Sequence, residues 1–151
     1  VIQTTTLRGG LVRELDLDDL NRERNPDPVR AYNAAKLQNV LFTKELHRRY
    51  HHEGLSAAAF YPGNVATNFG AETTSALMRF LATSRISRAL LLTTPEKGAD
   101  QLVWLAEGRP GLQWESGEFY AKRKAGGRVN PLAKDADLAR SLWQRSEELL
   151  G

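Results

Sequence analysis

The sequence predicts an α/β fold built on a partial doubly wound parallel sheet. Three observations carry that expectation. A β-branched segment, Val1–Thr6, precedes a long run of good helix formers from about Val29 to His52. That run stops at Gly54 and leads into a second apolar segment, Leu55–Tyr61. Pro62-Gly63 then ends this segment sharply. A helix that runs into a buried strand is half of a right-handed crossover unit, the building block of parallel sheets.

Each element has a local reason. Val, Ile and Thr favour extended backbone through their branched side chains, so Val1–Thr6 reads as a short buried strand. Arg8–Gly10 breaks regularity, and residues 13–27 read as a long polar loop with one helical turn. Asp27 caps the helix that follows, and Pro28 takes its first position. Its apolar residues fall on two tracks, Ala35, Phe42, Leu46 and Tyr50 on one and Ala34, Leu37 and Leu41 on the other. They make a wide surface for packing on a sheet. Leu55–Tyr61 alternates weakly, as a strand covered on both faces does.

Residues 64–93 are mixed, with helices expected over Thr74–Ala82 and Arg85–Leu92. Thr94-Pro95 opens another helix, to about Ala106, by the same cap-then-proline logic. Gly108–Gly111 is a turn and Gly117–Lys122 a further strand. A last helix runs from about Asp135 to Leu150, packed through Leu138, Leu142 and Leu149 with Trp143 beside them.

Composition narrows the function classes. Hydrophobic residues make up 41% and charged residues 26% of the 151, the balance of a folded domain rather than a disordered chain. The net charge of +3 is spread among acids, apart from Lys122, Arg123 and Lys124, which read as a solvated strand end or turn. A nucleic-acid partner would need a broader basic face. There is no cysteine, which excludes disulfide and thiolate chemistry and is compatible with a cytoplasmic location. No run is long enough for a transmembrane helix. The chain opens on Val1, inside a strand, and is expected to be a fragment.

The strongest candidate chemistry is Tyr32-Asn33-Ala34-Ala35-Lys36. Tyr32 and Lys36 lie one helical turn apart on one face. A nearby ammonium stabilises a phenolate, so the tyrosine can exchange a proton with a carbonyl or alcohol near neutral pH. On spacing alone this is an ordinary surface pair. Its position near the start of a helix that feeds a buried strand changes the reading, because ligands of open α/β sheets sit beyond the carboxyl ends of the strands. The segment Pro62-Gly63-Asn64-Val65-Ala66-Thr67 leaves that strand end and offers free backbone and the Thr67 hydroxyl to a polar, planar group; it also reads as a simple turn with Thr67 as a cap.

Together AYNAAKLQNVLFTKELHRRY and FYPGNVATNF resemble the second half of the short-chain dehydrogenases/reductases, most of all the branch of the retinol dehydrogenases and the WW-domain-containing oxidoreductase. Tyr32 and Lys36 match that family's YxxxK pair, and Pro62, Gly63, Val65 and Thr67 its PGxVxT segment. The resemblance implies the carboxyl-terminal portion of one Rossmann-type dinucleotide-binding domain, without the glycine-rich upstream half. It implies hydride transfer between NAD or NADP and a carbonyl/alcohol pair. Tyr32 would give or take the proton at oxygen, Lys36 would assist it and bond the nicotinamide ribose, and Pro62–Thr67 would hold the carboxamide.

Two departures matter. Where the family usually has a serine, this chain has Thr4, Thr5 and Thr6; Thr6 is the best match and Thr5 the next. A threonine hydroxyl donates the same hydrogen bond, with a methyl that restricts its rotamer. The family's glycine-rich turn is not among these residues, so the segment alone is expected to bind cofactor poorly and to be inactive.

His47, His51 and His52 cluster at a helix end without a spaced third ligand, so no metal is expected. Phe69, Leu77, Met78, Phe80 and Leu81 either line a pocket for a lipophilic carbonyl or alcohol or pack on the sheet. Trp104, Trp114 and Trp143 read as packing residues. The alternative to an oxidoreductase segment is a degenerate dehydrogenase-like module that acts through protein association. Cofactor preference, substrate, direction and homo-oligomer formation stay open.

Overall fold

The computed structural model describes residues 1–6, 12–24, 26–63, 94–127 and 129–151. Four strands form one sheet in the order β1 (Ile2–Thr4), β2 (Ala58–Tyr61), β3 (Glu118–Ala121) and β4 (Lys124–Ala125). The first three are parallel, with Ile2 opposite Ala58 and Ala58 opposite Glu118; β4 returns antiparallel to β3. Among the described residues three long helices accompany them: α1 (Pro28–Tyr50), α2 (Pro95–Glu107) and α3 (Ala136–Leu150).

Both ends of α1 follow from local chemistry. The Asp27 carboxylate accepts from the backbone N–H groups of Val29 and Arg30 at 2.9 and 3.0 Å, and Pro28 wastes no donor at the first position. Two of the donors that a helix start leaves open are thereby satisfied. After Tyr50 the chain tightens into a single 3-10 turn, His51–Glu53, and leaves through Gly54 at φ 91°. That left-handed conformation suits glycine. Helices α2 and α3 start in the same way, with Thr94 and Asp135 accepting from Lys97 and Leu138 N–H.

Strand periodicity sorts the core onto two faces. Ala59 and Phe119 pack with Ala34, Leu37, Val40 and Leu41 of α1 and Ala139 and Leu142 of α3. Their neighbours Ala58, Phe60 and Tyr120 turn to the other face, against Leu105 of α2 and Trp114. Alternate residues of a strand point to opposite faces, so helices on both sides bury the sheet twice. This is the doubly wound arrangement that the sequence predicts.

The structure corrects three details. Ala35 is exposed on α1, whereas Val40 joins the buried stripe. Leu149 is 57% exposed at the far end of α3, and Ala139 takes its expected place beside Leu142. The sheet is also not purely parallel, because Lys122 and Arg123 form a tight turn at φ 53° and 60° into β4. The basic triplet thus lies in a hairpin, where Arg123 pairs with Asp100 of α2 at 2.5 Å.

All three tryptophans serve packing. Trp114 donates to the Gly108 carbonyl at 3.1 Å, Trp104 meets the Tyr120 ring edge-on at 5.4 Å, and Trp143 stacks on Phe42 at 5.2 Å. Arg49 lies over the Trp143 ring, 4.9 Å from its centroid, and also bonds Glu45 at 2.7 Å. The expected helices over Thr74–Ala82 and Arg85–Leu92 lie outside the described residues.

Candidate functional site

Tyr32 and Lys36 occupy the first turns of α1, beside the carboxyl end of β1. The helix runs back from that end of the sheet, so its early residues stand next to the residues where β1 finishes. The Lys36 ammonium lies 5.7 Å from the centre of the Tyr32 ring. It also donates to the Thr4 carbonyl at 3.2 Å. Tyr32 is 38% exposed, so a ligand in solution can reach its ring.

The three threonines have distinct positions. Thr4 closes β1. Thr5 extends the ladder, its N–H bonding the Phe60 carbonyl at 2.8 Å. Its side chain is buried, and its hydroxyl donates to the Lys36 carbonyl at 2.6 Å. The Thr5 hydroxyl proton is therefore spent on holding α1 to β1. Thr6 follows, half-buried, at the point where the chain leaves the sheet.

Strand β2 ends one residue beyond β1, since Thr4 pairs with Phe60 and Tyr61 follows. Pro62 and Gly63 follow Tyr61, and Gly63 sits at φ 93°. A glycine in that region lets the chain turn away without the strain that a side chain would bring. Val65 and Thr67 lie outside the described residues, as do Phe69, Leu77, Met78, Phe80 and Leu81. The structure thus sets Lys36 beside Tyr32 and against Thr4, while Thr6, Pro62 and Gly63 follow the ends of the two paired parallel strands.

The sequence reading missed Asn39. Its side-chain amide donates to the Thr4 carbonyl at 3.0 Å, the acceptor that Lys36 also uses. The only sequence signal is its spacing, three residues after Lys36 on the same helix face.

No protein-family model matches the chain. Retinol dehydrogenase 14 of Homo sapiens is 33% identical over 138 residues, covering 91% of this chain and 40% of that protein. The chain is similar to retinol dehydrogenases. Retinol dehydrogenase 13 of Homo sapiens is 36% identical over 141 residues, covering 91% of this chain and 41% of its own length. A crystal structure of an uncharacterized protein from Mycobacterium paratuberculosis superposes with a TM-score of 0.67 at 28% identity, over 99% of this chain and 49% of that one. The chain thus spans about 40% of the length of the curated relatives it matches. The likeness is at family level, to the retinol dehydrogenase branch of the short-chain dehydrogenases/reductases, which are oxidoreductases.

The histidine cluster is organised around packing. His47 and His51 have ring centres 4.5 Å apart. Burial, and then the neighbouring His51, hold the His47 imidazole below its ordinary value of 6.5. No group of three metal-ligating side chains is found among the described residues. Nor is any described helix long and apolar enough to cross a membrane.

Proposed function

We propose that this chain supplies the proton-transfer half of an NAD(P)-dependent oxidoreductase site, acting on a small lipophilic carbonyl or alcohol. One observation carries the reading: the Lys36 ammonium stands 5.7 Å from the Tyr32 ring centre at the carboxyl end of a parallel strand. Similarity to dehydrogenases at 33% and 36% identity supports it.

The residues present suit the nicotinamide end of such a cofactor. An ammonium has three donors, of which the Thr4 carbonyl takes one. Two remain for ribose hydroxyls and the phenol. The turn at Pro62-Gly63 opens backbone groups at the next strand end, where a carboxamide would be held, with Val65 and Thr67 completing that contact. The cofactor, when bound, supplies the hydride chemistry.

The chain's own residues then manage the proton. In reduction, the Tyr32 hydroxyl protonates the carbonyl oxygen; in oxidation, the phenolate takes the alcohol proton. The Lys36 ammonium offsets the negative charge on the phenol oxygen in either direction. The Thr6 hydroxyl donates to the substrate oxygen and keeps it within reach of Tyr32.

The test is a coupled assay on the intact protein, following absorbance of NADH or NADPH with medium-chain aldehydes and alcohols. Turnover that falls at least about a hundredfold in Tyr32→Phe, the scale of general acid–base catalysis, supports the reading. Turnover that survives Tyr32→Phe contradicts it.

A further inference from the structure

We propose that Asn39 is a positioning residue that fixes the Lys36 ammonium beside Tyr32 by sharing the Thr4 carbonyl. The inference rests on the assignment of Tyr32 and Lys36 above, and adds a residue outside the motif that suggested them.

The backbone of β1 fixes the direction of that carbonyl. The Val1 carbonyl accepts from Ala58 N–H at 2.9 Å, and Thr5 N–H donates to the Phe60 carbonyl at 2.8 Å. Residues 1 and 5 therefore face β2. In a strand the hydrogen-bonding groups alternate sides from one residue to the next, so the Thr4 carbonyl points away from β2.

Helix α1 sends two side-chain donors to that carbonyl. Lys36 and Asn39 are three residues apart, on one helix face, and their side chains converge on the Thr4 oxygen at 3.2 and 3.0 Å. The Thr5 hydroxyl closes the same joint from the other direction, donating to the Lys36 carbonyl at 2.6 Å. Three bonds between adjacent strand residues and one helical turn set the height at which Lys36 leaves the helix.

A carbonyl oxygen has two lone pairs. With Asn39 on one, Lys36 takes the other, and its ammonium stands 5.7 Å from the Tyr32 ring centre. Lysine is long and loses much rotamer freedom when held. Without the amide, the Thr4 carbonyl is free to swing and to be solvated, and the ammonium loses its fixed anchor.

Two readouts test this in the full chain. The first is the acetylation of Lys36 by an N-hydroxysuccinimide ester, measured by mass spectrometry against Lys44 and Lys134 in the same molecule. The second is steady-state turnover. In Asn39→Ala, and in Asn39→Asp, which keeps the shape but cannot donate, we expect kcat to fall about tenfold with KM for the carbonyl substrate nearly unchanged. In Asn39→Ala, Lys36 acetylation should rise several-fold relative to both controls. Asn39→Gln, which restores the amide, should recover part of each effect. Lys36 labelling that stays constant in Asn39→Ala, or rises only as much as Lys44 and Lys134, overturns the proposal. Selective labelling without turnover in the parent protein supports the positioning while removing the oxidoreductase reading, so the two can fail separately.

Discussion

The Thr5 hydroxyl donates to the backbone carbonyl of Lys36 across 2.6 Å, tying the last residues of β1 to the first turns of α1. The bond is buried at the Thr5 end, which is 3% exposed. It places the Thr5 hydroxyl in the framework between strand and helix, and the proposed function gives the site role to Thr6. Thr5→Val keeps the branched shape and removes the donor. It should cost about 1 kcal/mol in chemical denaturation, the ordinary worth of one internal hydrogen bond. Thr6→Val should lower turnover about tenfold or more. The reverse pattern would exchange their roles.

Glu45 makes stability depend on pH. It is 2% exposed on α1 and bonds Arg48 at 2.6 Å and Arg49 at 2.7 Å. The side-chain bond from Arg48, then that from Arg49, hold its carboxyl below the ordinary 4.5. A carboxylate whose value is depressed by folding contributes stability that is present above the unfolded value and lost as pH falls through the folded one. Urea titrations should therefore show a loss of stability below about pH 4.5. Glu45→Gln should remove about 2 kcal/mol at neutral pH and flatten that acid limb. An unchanged acid limb in the variant would contradict the assignment.

Gly117 is needed where the chain enters β3. It sits at φ 84°, and a Cβ there would lie 2.8 Å from Cγ of His47. Gly117→Ala should destabilise the fold by at least about 1 kcal/mol, through backbone strain and through collision with the imidazole. Adding His47→Ala should recover part of the loss and not all of it, because the backbone angle stays unfavourable. Thermal unfolding of the two single variants and the double variant separates these contributions. Full recovery would show that the backbone angle costs nothing.

Much of this architecture is legible in the sequence, for reasons that are local. Asp27-Pro28 and Thr94-Pro95 announce helix starts because caps are made by the residues that adjoin them. Tyr61 and Pro62-Gly63 mark a strand end in the same way. Strand β4 is not legible: it has two residues, too few for any period, and the turn before it uses Lys122 and Arg123 where glycine or asparagine would be the usual signal. Leu149 looks like core because it continues a helical stripe, yet the last turn of α3 runs past the surface it packs on. Periodicity reports a face and not where that face ends.

The candidate site divides along the same line. Tyr32 and Lys36 can be paired from their spacing because a helix brings them together by itself. The structural role of Thr5 cannot be read that way, since its hydroxyl bond crosses 31 positions, from Thr5 to Lys36. Asn39 is invisible for a related reason. A polar residue on a helix looks like a solvent contact until the fold places a backbone carbonyl against it.

The central claim is that phenol and ammonium act as one unit, and a double-mutant cycle on turnover tests it most directly. The cycle compares kcat for the parent protein, Tyr32→Phe, Lys36→Ala and the pair, with an aldehyde and reduced cofactor. The proposed chemistry requires strong non-additivity: once the phenol hydroxyl is gone, removing the ammonium should slow proton transfer little further. Independent effects that multiply, or single variants that turn over as fast as the parent, would contradict it.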